Sequence, residues 1–261
     1  MGVILPLLRI NYLSNTKDTS HIFGGYKMNR IVEVGSVFGN VQRTSYEYMK
    51  LLEKKYKSNY SVLIVDDKDG LNSIPFANHG ANVTMYESNL NYINGGIVDG
   101  TIITPISNRK HWDNVKNRIT IKNSNFYNER IENKYDLVYC YRSLHDKNNK
   151  NIPMKRKIRK LLSSVKDDGY IYIFYYLAKN ENDYSNFSRS QYFRLGEMKQ
   201  YFDSRVWNVI SIVEHTNDTF HNGHPFHQKD HTHRVGHIFA QKKNTRLVHK
   251  YYYEIITMIA E

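Results

Sequence analysis

The acidic residues between Ser61 and Asn89 have the types and spacing to bind a ligand at one edge of a sheet. The run Ser61–Val65 is aliphatic and β-branched, as in a strand buried on both faces of a parallel sheet. A turn-forming cluster follows it, and Glu87 ends a second such run about 20 residues beyond that turn, where a carboxylate can accept hydrogen bonds from both hydroxyls of a ribose. The spacing therefore predicts that Glu87 can bind a ribose above the sheet. The turn before it contains Asp66, Asp67, Asp69 and Gly70.

Most of the chain's 12 histidines lie in one predicted loop and its flanks. They are His215, His221, His224, His227, His231, His233 and His237. An imidazole can act as a general base near neutral pH, so we predict catalytic roles for His224 and His227, with His145 as a further candidate. Metal binding by a pair such as His231-x-His233 is the alternative. No cysteine or fixed zinc spacing accompanies these histidines, and no metal site is predicted.

Two further candidates stand at the end of the predicted strand Tyr135–Tyr141. Arg142 follows the strand and could hold an anionic group of a substrate, or form an ion pair at the rim of a site. Cys140 is the only cysteine of the chain. A covalent nucleophile is one interpretation of Cys140, but a small residue in a buried strand explains it better, because no Pro-Cys pair is present.

Length and composition favour one domain in a reducing compartment. A chain of 261 residues can bury one large core, and a single cysteine excludes an internal disulfide. No apolar run approaches the roughly 20 residues of a membrane span. The first residues, MGVILPLL, form too short an apolar segment for a secretory signal, and no basic residue precedes that segment. We therefore expect a cytoplasmic protein without a membrane partner.

The net charge of +12 and the pI near 9.5 favour or tolerate an anionic partner. Part of this charge lies on a predicted helix opened by Pro153, whose apolar residues form one face. The cations opposite that face are Lys155, Arg156, Lys157, Arg159 and Lys160. These side chains could contact the phosphates of a nucleic acid, and the alternative is a solvated helix face.

Strand and helix signals alternate along the rest of the chain. The predicted strands are Ser61–Val65, Asn82–Tyr86, Ile119–Lys122, Tyr135–Tyr141, Tyr170–Tyr176, Trp207–Val213 and Val235–Ala240. The predicted helices include Thr44–Tyr56, a short helix at Pro75, the basic helix, Ser190–Phe202 and Arg246–Ala260. The segment Asn89–Arg118 contains interrupting glycines, so it is predicted to be partly loop with a helical turn near Trp112.

This alternation predicts an α/β fold: a seven-stranded, mostly parallel, doubly wound sheet with helices on both faces. A loop joins the last two strands, which indicates an antiparallel C-terminal hairpin. Residues Arg30–Asn40 could also form a nucleotide-binding loop. If the first strand were placed there, however, the chain would contain one strand more than the seven of the predicted sheet. The predicted organisation is an N-terminal extension (1–43), the sheet domain (44–245) and an amphipathic helix (246–261) that packs on the domain or on a partner.

Several stretches resemble the class I methyltransferases that use S-adenosyl-L-methionine (SAM). FANHGANVTMYESN resembles the second-strand region of that family, YDLVYCYRSLHD its fourth-strand motif and DDGYIYIFYY its fifth. RLGEMKQYFDSRVWNVISIVEH followed by HRVGHIFAQKK is similar to the end of the tellurite-resistance type of methyltransferase. The resemblance covers about Thr44 to Lys243, and the order and spacing of the motifs carry it.

The resemblance implies SAM as the cofactor, with Asp66–Gly70 as the first motif and Glu87 on the ribose. It also places Ser124 or Asn125 near the adenine, with Cys140 and Arg142 beneath the sulfonium. In that family the first motif is Asp-x-Gly-x-Gly, whereas in this chain Lys68 occupies the position of the first glycine. The Lys68 side chain could fill the methionine pocket, point outward or pair with the SAM carboxylate.

The implied function is direct methyl transfer from SAM to a small or medium-sized acceptor, in which the enzyme acts mainly by proximity. The Asn/Asp-Pro-Pro-aromatic motif of amino-methylating DNA enzymes and the acid of the ribose 2′-O enzymes are absent. Two alternatives stay open. One is an RNA methyltransferase that uses the basic face, and the other is a non-catalytic binding subunit whose first motif has degenerated.

Overall fold

The computed structural model describes residues 36–38, 41, 43–180, 192–221 and 231–244. Its strands are β1 (Ser61–Val65), β2 (Asn82–Tyr86), β3 (Gly96–Val98), β4 (Thr101–Ile103), β5 (Ile119–Lys122), β6 (Tyr135–Cys140), β7 (Val165–Leu177), β8 (Trp207–Glu214), β9 (Thr219–His221) and β10 (His231–Lys242). Its α-helices are α1 (Arg43–Tyr56), α2 (Ser73–Asn78), α3 (Leu90–Asn94), α4 (Trp112–Val115) and α5 (Met154–Ser163). All seven predicted strands are present.

The central sheet has the strand order β5-β2-β1-β6-β7-β10-β8. Its strands run parallel except β10, which lies between β7 and β8 and is antiparallel to both. This arrangement confirms the predicted antiparallel pair at the C-terminal end. The chain leaves β1 towards β2 and β5 and returns to β6 on the other side of β1. The strand order therefore reverses at β1, the place where open α/β sheets bind ligands beyond the carboxyl ends of their strands.

Helices cover both faces of the sheet, because successive side chains of each buried strand point to opposite sides. Val62 and Ile64 of β1 pack in one core cluster with residues of α1 and α2. Leu63 and Val65 pack in the other cluster with residues of α5. Met49 of α1 and the two β1 residues Val62 and Leu63 are fully buried. The predicted doubly wound architecture is confirmed.

Two predictions about the connecting segments are incomplete or wrong. Between α3 and β5 the chain forms the small antiparallel hairpin β3–β4, which the pattern of glycines did not reveal. The predicted helix Ser190–Phe202 is absent from its described part, where a 3-10 turn covers only Met198–Tyr201. Phe193 instead forms a bridge with Leu177 at the end of β7, and Gly196 has a left-handed φ of 77°. A helix cannot continue through that conformation.

The basic helix α5 also differs from the prediction, since Lys157 belongs to its buried face. Lys157 is 0% exposed, lies three residues after Met154 and one before Ile158, and donates from Nζ to the Leu144 carbonyl at 2.6 Å. Burial lowers the pKa of this ammonium. The exposed cations of α5 are Lys155, Arg156 and Arg159. The Lys160 ammonium donates to the Glu129 carbonyl.

The remaining structural predictions lie largely outside the described residues. Only 36–38, 41 and 43 of the predicted extension are described, and the predicted helix 246–261 is not. Within the described ranges, no helix combines the length and the apolar character that crossing a membrane requires. All described residues belong to one compact unit that begins at Val32.

Candidate functional site

The turn after β1 requires left-handed backbone at alternate positions. Asp66 has a φ of 55°, Lys68 of 61° and Gly70 of 84°. Lys68 therefore adopts the conformation for which a glycine is the usual residue, at a cost of roughly 1–2 kcal/mol. A Cβ at Gly70 would lie 2.7 Å from the Ile106 Cδ1 atom, so this position has no room for a side chain. The turn therefore has left-handed backbone at the lysine as well as at the glycine.

Two carboxylates of the turn point inward and hold its shape. Asp67 accepts hydrogen bonds from the backbone N–H groups of Asn72 and Ser73, both at the start of α2. Asp69 is fully buried, and its Oδ2 accepts from the Arg109 guanidinium at 2.6 Å. The Ser36 hydroxyl donates to the same carboxylate. This places both residues among the contacts that support the turn, a role that the sequence prediction did not include.

Glu87 lies at the carboxyl end of β2, beside the turn. Its Oε2 accepts from the Lys68 backbone N–H and its Oε1 from the Asn89 backbone N–H, both at 2.9 Å. The side chain is only 2% exposed. A carboxylate offers about four acceptor positions, so two remain for a ligand after these bonds are made. The backbone thus orients Glu87 while leaving it able to bind a diol.

Asp66 is the centre of a buried polar network at the carboxyl ends of β1 and β6. Its Oδ2 accepts from the Ser143 hydroxyl at 2.5 Å and from the Asn149 side-chain amide at 2.7 Å. Because Ser143 has one hydroxyl proton, the Tyr127 hydroxyl, 2.8 Å away, must be the donor to Ser143. Asn149 in turn accepts from the Asn125 amide at 2.9 Å. The network joins three loops around one carboxylate.

Asp66 and Glu87 form a pair of buried acids with raised pKa values. Burial, followed by the charge of Asp146, raises the pKa of Asp66 from 3.8 to about 7. Burial, followed by the charge of Asp66, raises the pKa of Glu87 from 4.5 to about 8. Two acids whose ionisation is suppressed by burial and by neighbouring carboxylates favour a cationic ligand, since a nearby positive charge stabilises both carboxylates.

The Lys68 side chain extends towards aromatic residues next to the turn. Its Nζ lies 4.6 Å from the centroid of Phe38 and 5.4 Å from that of Tyr92. These two rings meet edge to face, with centroids 5.6 Å apart. Such cation–π contacts contribute roughly 0.5–1 kcal/mol at an exposed site. The Lys68 ammonium therefore contacts these two rings, and its orientation relative to a bound ligand stays a prediction.

The residues predicted beside an adenine and a sulfonium follow β5 or lie at the carboxyl end of β6, near the polar network around Asp66. Asn125 follows β5, and its Oδ1 accepts from the Tyr127 backbone N–H, so it is fixed by the network described above. Ser124, next to it, is partly exposed. Cys140 is fully buried at the end of β6, with Sγ 3.9 Å from the Tyr127 hydroxyl. Burial raises the pKa of its thiol to about 12, which is unsuitable for a nucleophile.

The catalytic candidates after β6 have different surroundings. Arg142 is exposed, and its Cζ lies 5.0 Å from the Tyr141 centroid. His145 is partly buried, and its Nε2 accepts from the Tyr176 backbone N–H at 2.9 Å. That bond occupies the lone pair with which Nε2 would take a proton. A general base at Nε2 of His145 would require the bond to break first.

The histidine-rich segment is described only in part. His224 and His227, the other predicted bases, lie outside the described residues. His233 of β10 stacks on Tyr176 with centroids 4.6 Å apart. His237 is partly buried, and burial, followed by the charge of His215, lowers its pKa to about 4. No group of metal-ligating side chains is found in the part of the chain that the structure describes.

Sequence reasoning missed Ser143, Asn149 and Asp146, which all act on Asp66. Ser143 and Asn149 contact it directly, and the charge of Asp146 raises its pKa. Asn149 lies in the polar run from Asp146 to Asn151, which reads as an ordinary loop. Ser143 lies in the fourth-strand motif YDLVYCYRSLHD. Its position just after a central strand was the signal that could have identified it as a site residue.

No family model matches the sequence, and no curated protein sequence matches it. Among solved structures, the chain is similar to TehB from Haemophilus influenzae, with 15% identity, a TM-score of 0.54, and coverage of 78% of this chain and 63% of that one. It is also similar to magnesium protoporphyrin IX methyltransferase (ChlM) from Synechocystis PCC 6803 with bound SAH, with 12% identity, a TM-score of 0.51, and coverage of 79% and 91%. At these identities the likeness shows the fold. The predicted class I SAM-dependent methyltransferase fold is confirmed.

Proposed function

We propose that this chain, which has the class I methyltransferase fold, binds SAM and transfers its methyl group to a small acceptor. The observation that carries the proposal is the pair of buried acids at the reversal of strand order. Glu87 and Asp66 have pKa values raised to about 8 and about 7, and they lie at the ends of the adjacent strands β2 and β1. A ligand that carries both a positive charge and a ribose diol satisfies this pair.

The residues present fit SAM on their geometry. Glu87 is held by two backbone N–H groups and keeps acceptor capacity for two hydroxyl donors. Asp66 presents a carboxylate whose second oxygen can face a cation, because the network holds it through Oδ2. When bound, SAM supplies an electrophilic methyl group on a sulfonium. The protein contributes binding, orientation and exclusion of water.

The acceptor side of the proposal assigns roles to residues after β6. Arg142 is exposed next to Ser143 and can hold an anionic group of the acceptor. His145 positions the loop through its bond to the Tyr176 backbone. We retain His224 and His227 as proposed bases.

The two alternative functions make different demands on the molecule. A non-catalytic subunit would have a collapsed first motif, whereas the turn retains left-handed backbone at Lys68 and Gly70. An RNA methyltransferase would use the basic face of α5, whose exposed cations in the structure are Lys155, Arg156 and Arg159. The non-catalytic subunit does not account for the buried acid pair. The RNA methyltransferase would bind SAM at the same pair, but it would rely on a helix face with three exposed cations instead of the five predicted. We therefore prefer the small-acceptor methyltransferase.

Calorimetric titration of the full chain with SAM and with SAH tests the proposal directly. We expect both ligands to bind with a dissociation constant well below 1 mM, with adenosine binding more weakly because it lacks the charged methionine portion. Incubation with methyl-labelled SAM and a panel of small acceptors should then transfer label to at least one compound. No heat of binding with either ligand at millimolar concentration would contradict the proposed function and favour the non-catalytic subunit.

Replacing Lys68 with glycine is expected to tighten SAM binding severalfold with little change in stability. Glycine relieves roughly 1–2 kcal/mol of left-handed strain but loses about 0.5–1 kcal/mol through backbone entropy. It also removes the contacts with Phe38 and Tyr92 and a positive charge beside a cationic ligand. The Lys68→Met variant removes the charge but keeps the strain, so comparing the two separates the causes. Weaker SAM binding in both variants would instead show that the ammonium pairs with the ligand's carboxylate.

A further inference from the structure

Six ring side chains form a continuous cluster at the carboxyl ends of β6 and β7. They are Tyr141, His145, Phe174, Tyr176, Tyr192 and His233, and we call them the aromatic wall. Tyr176 is its centre, with its centroid 4.5 Å from that of His145, 4.6 Å from that of His233 and 5.6 Å from that of Phe174. Phe174 continues edge to face to Tyr141 at 5.0 Å. Tyr192 lies 6.3 Å from Tyr176.

The aromatic wall adjoins the buried polar network around Asp66. Tyr141 and His145 flank the turn that carries Ser143, and the Ser143 hydroxyl donates to Asp66 at 2.5 Å. The wall is also fixed to the sheet, since His145 Nε2 accepts from the Tyr176 backbone N–H. A molecule against these rings would therefore lie beside any ligand held by Asp66.

The degree of exposure distinguishes the wall from the aromatic core beneath it. Tyr139 and Tyr172, closer to the middle of the same strands, are fully buried and stack with centroids 4.9 Å apart. In the wall, only Phe174 is buried, and the other five residues are partly exposed. Closely spaced aromatic residues that are partly exposed at the end of a sheet offer apolar surface against which a flat ligand can pack.

Arg142 supplies a positive charge at the border of the wall. It is exposed, and its guanidinium carbon lies 5.0 Å from the Tyr141 centroid. A guanidinium can stack on a ring while its N–H groups bind a carboxylate in a bidentate manner. The surface therefore combines aromatic faces with one exposed anion-binding group.

We propose that the aromatic wall binds the methyl acceptor, and that this acceptor is a planar aromatic or heteroaromatic molecule with an anionic group held by Arg142. The inference rests on the proposed function and adds the class of substrate. In the transfer, a phenolic oxygen or ring nitrogen of the acceptor forms a bond to the methyl carbon while the carbon–sulfur bond breaks. The electron pair of that bond stays on sulfur, which becomes a neutral thioether, and the acceptor's proton passes to a base or to water.

Binding of simple probes to the full chain tests this inference without relying on turnover. The probes are 4-hydroxybenzoate, its saturated counterpart 4-hydroxycyclohexanecarboxylate, and the uncharged 4-hydroxybenzyl alcohol, each measured by ligand-observed NMR in the presence of SAH. We expect 4-hydroxybenzoate to bind roughly fivefold or more tightly than the saturated acid, because only the planar ring can stack. Arg142→Gln should weaken 4-hydroxybenzoate by about tenfold and leave the alcohol unchanged.

Variants of the wall and matched controls complete the test. Tyr176→Leu and, separately, Tyr141→Leu should each reduce the preference for the aromatic acid. Tyr56→Leu alters a partly exposed tyrosine of α1 at the other end of the sheet, and Arg205→Gln alters an exposed arginine paired with Asp203. Both controls should bind every probe as the wild type does.

Equal binding of the aromatic and saturated acids, no binding of either aromatic probe at 10 mM, or unchanged preference in both tyrosine variants would overturn the inference. SAH titration of the same samples separates this failure from failure of the proposed function. SAH binding without any aromatic preference would leave the methyltransferase proposal in place. Aromatic binding without SAH binding would support the wall alone.

Discussion

Replacing Glu87 with alanine is expected to weaken SAM binding by at least 100-fold. Each hydrogen bond from a ribose hydroxyl to the carboxylate contributes about 1.5–3 kcal/mol because the acceptor is charged, and alanine removes both. The variant also leaves the backbone N–H groups of Lys68 and Asn89 without the acceptor that now orders the turn. Calorimetric titration with SAM and SAH would measure the loss, with circular dichroism to establish that the variant is folded.

Asp136→Asn is the matched control for this prediction. Asp136 is a partly buried carboxylate that, like Glu87, accepts from a backbone N–H, in this case that of Ser61, and it pairs with Lys166 at 2.9 Å. It lies at the amino end of β6, at the opposite end of the sheet from Glu87. Its replacement should lower stability but leave the SAM dissociation constant unchanged. Wild-type affinity in Glu87→Ala would remove Glu87 from the ligand site, and an equal loss in both variants would indicate a general effect on folding.

Most of the fold could be predicted because the strands are defined by local composition. β1, β2 and β5 have the predicted bounds, since continuous β-branched and aliphatic runs end there in turn-forming residues. The hairpin β3–β4 was missed because three-residue strands carry too little pattern. Gly196 shows the opposite case, in which one residue with positive φ stops a helix that the surrounding sequence favours.

The candidate site was less predictable, because its contacts join distant parts of the chain. Asn149 and Ser143 contact Asp66 across 83 and 77 residues. Nothing in the local sequence of a polar loop marks which asparagine turns inward. Lys157 illustrates the same limit, since its partner is a backbone carbonyl and leaves no complementary residue type to detect. The position of Glu87 at the end of β2, beside the turn, could be predicted because it follows from the geometry of adjacent parallel strands.

The buried acids Asp66 and Glu87 make the stability of the protein and its affinity for SAM depend on pH in opposite directions. Their pKa values in the folded protein, about 7 for Asp66 and about 8 for Glu87, exceed those of unfolded carboxyl groups. Between about pH 4 and pH 8 the folded state therefore binds more protons than the unfolded state. Stability then falls as the pH rises through this window, by up to about 1.4 kcal/mol per pH unit for each group. The ligand-free protein should be more stable at pH 5 than at pH 8.

Raising the pH from 6 to 8.5 is expected to strengthen SAM binding while it lowers the melting temperature of the ligand-free protein. A cationic ligand with hydroxyl donors prefers ionised Asp66 and Glu87. At a pH below the pKa of about 8, binding must therefore displace a proton from the carboxyl group, and each displaced proton lowers the affinity about tenfold per pH unit. Calorimetry in buffers of different ionisation enthalpy should detect protons released on binding. An affinity that is constant over this range would contradict the assignment of the acid pair as the SAM site.

The Asp66→Asn variant separates this titration from that of the ligand's own amino group. The two hydrogen bonds of Asp66 both end on Oδ2, so the asparagine carbonyl oxygen can accept them from Ser143 and Asn149 without rearrangement. The variant should melt several degrees higher than the wild type at pH 8 and about equally at pH 5, since a shift of roughly 2–4 °C accompanies each kcal/mol in a domain of this size. It should bind SAM more weakly at pH 8, with a shallower dependence on pH. If its melting temperature keeps the full wild-type decline between pH 5 and pH 8, Asp66 does not cause that decline, and the instability at high pH arises from other groups.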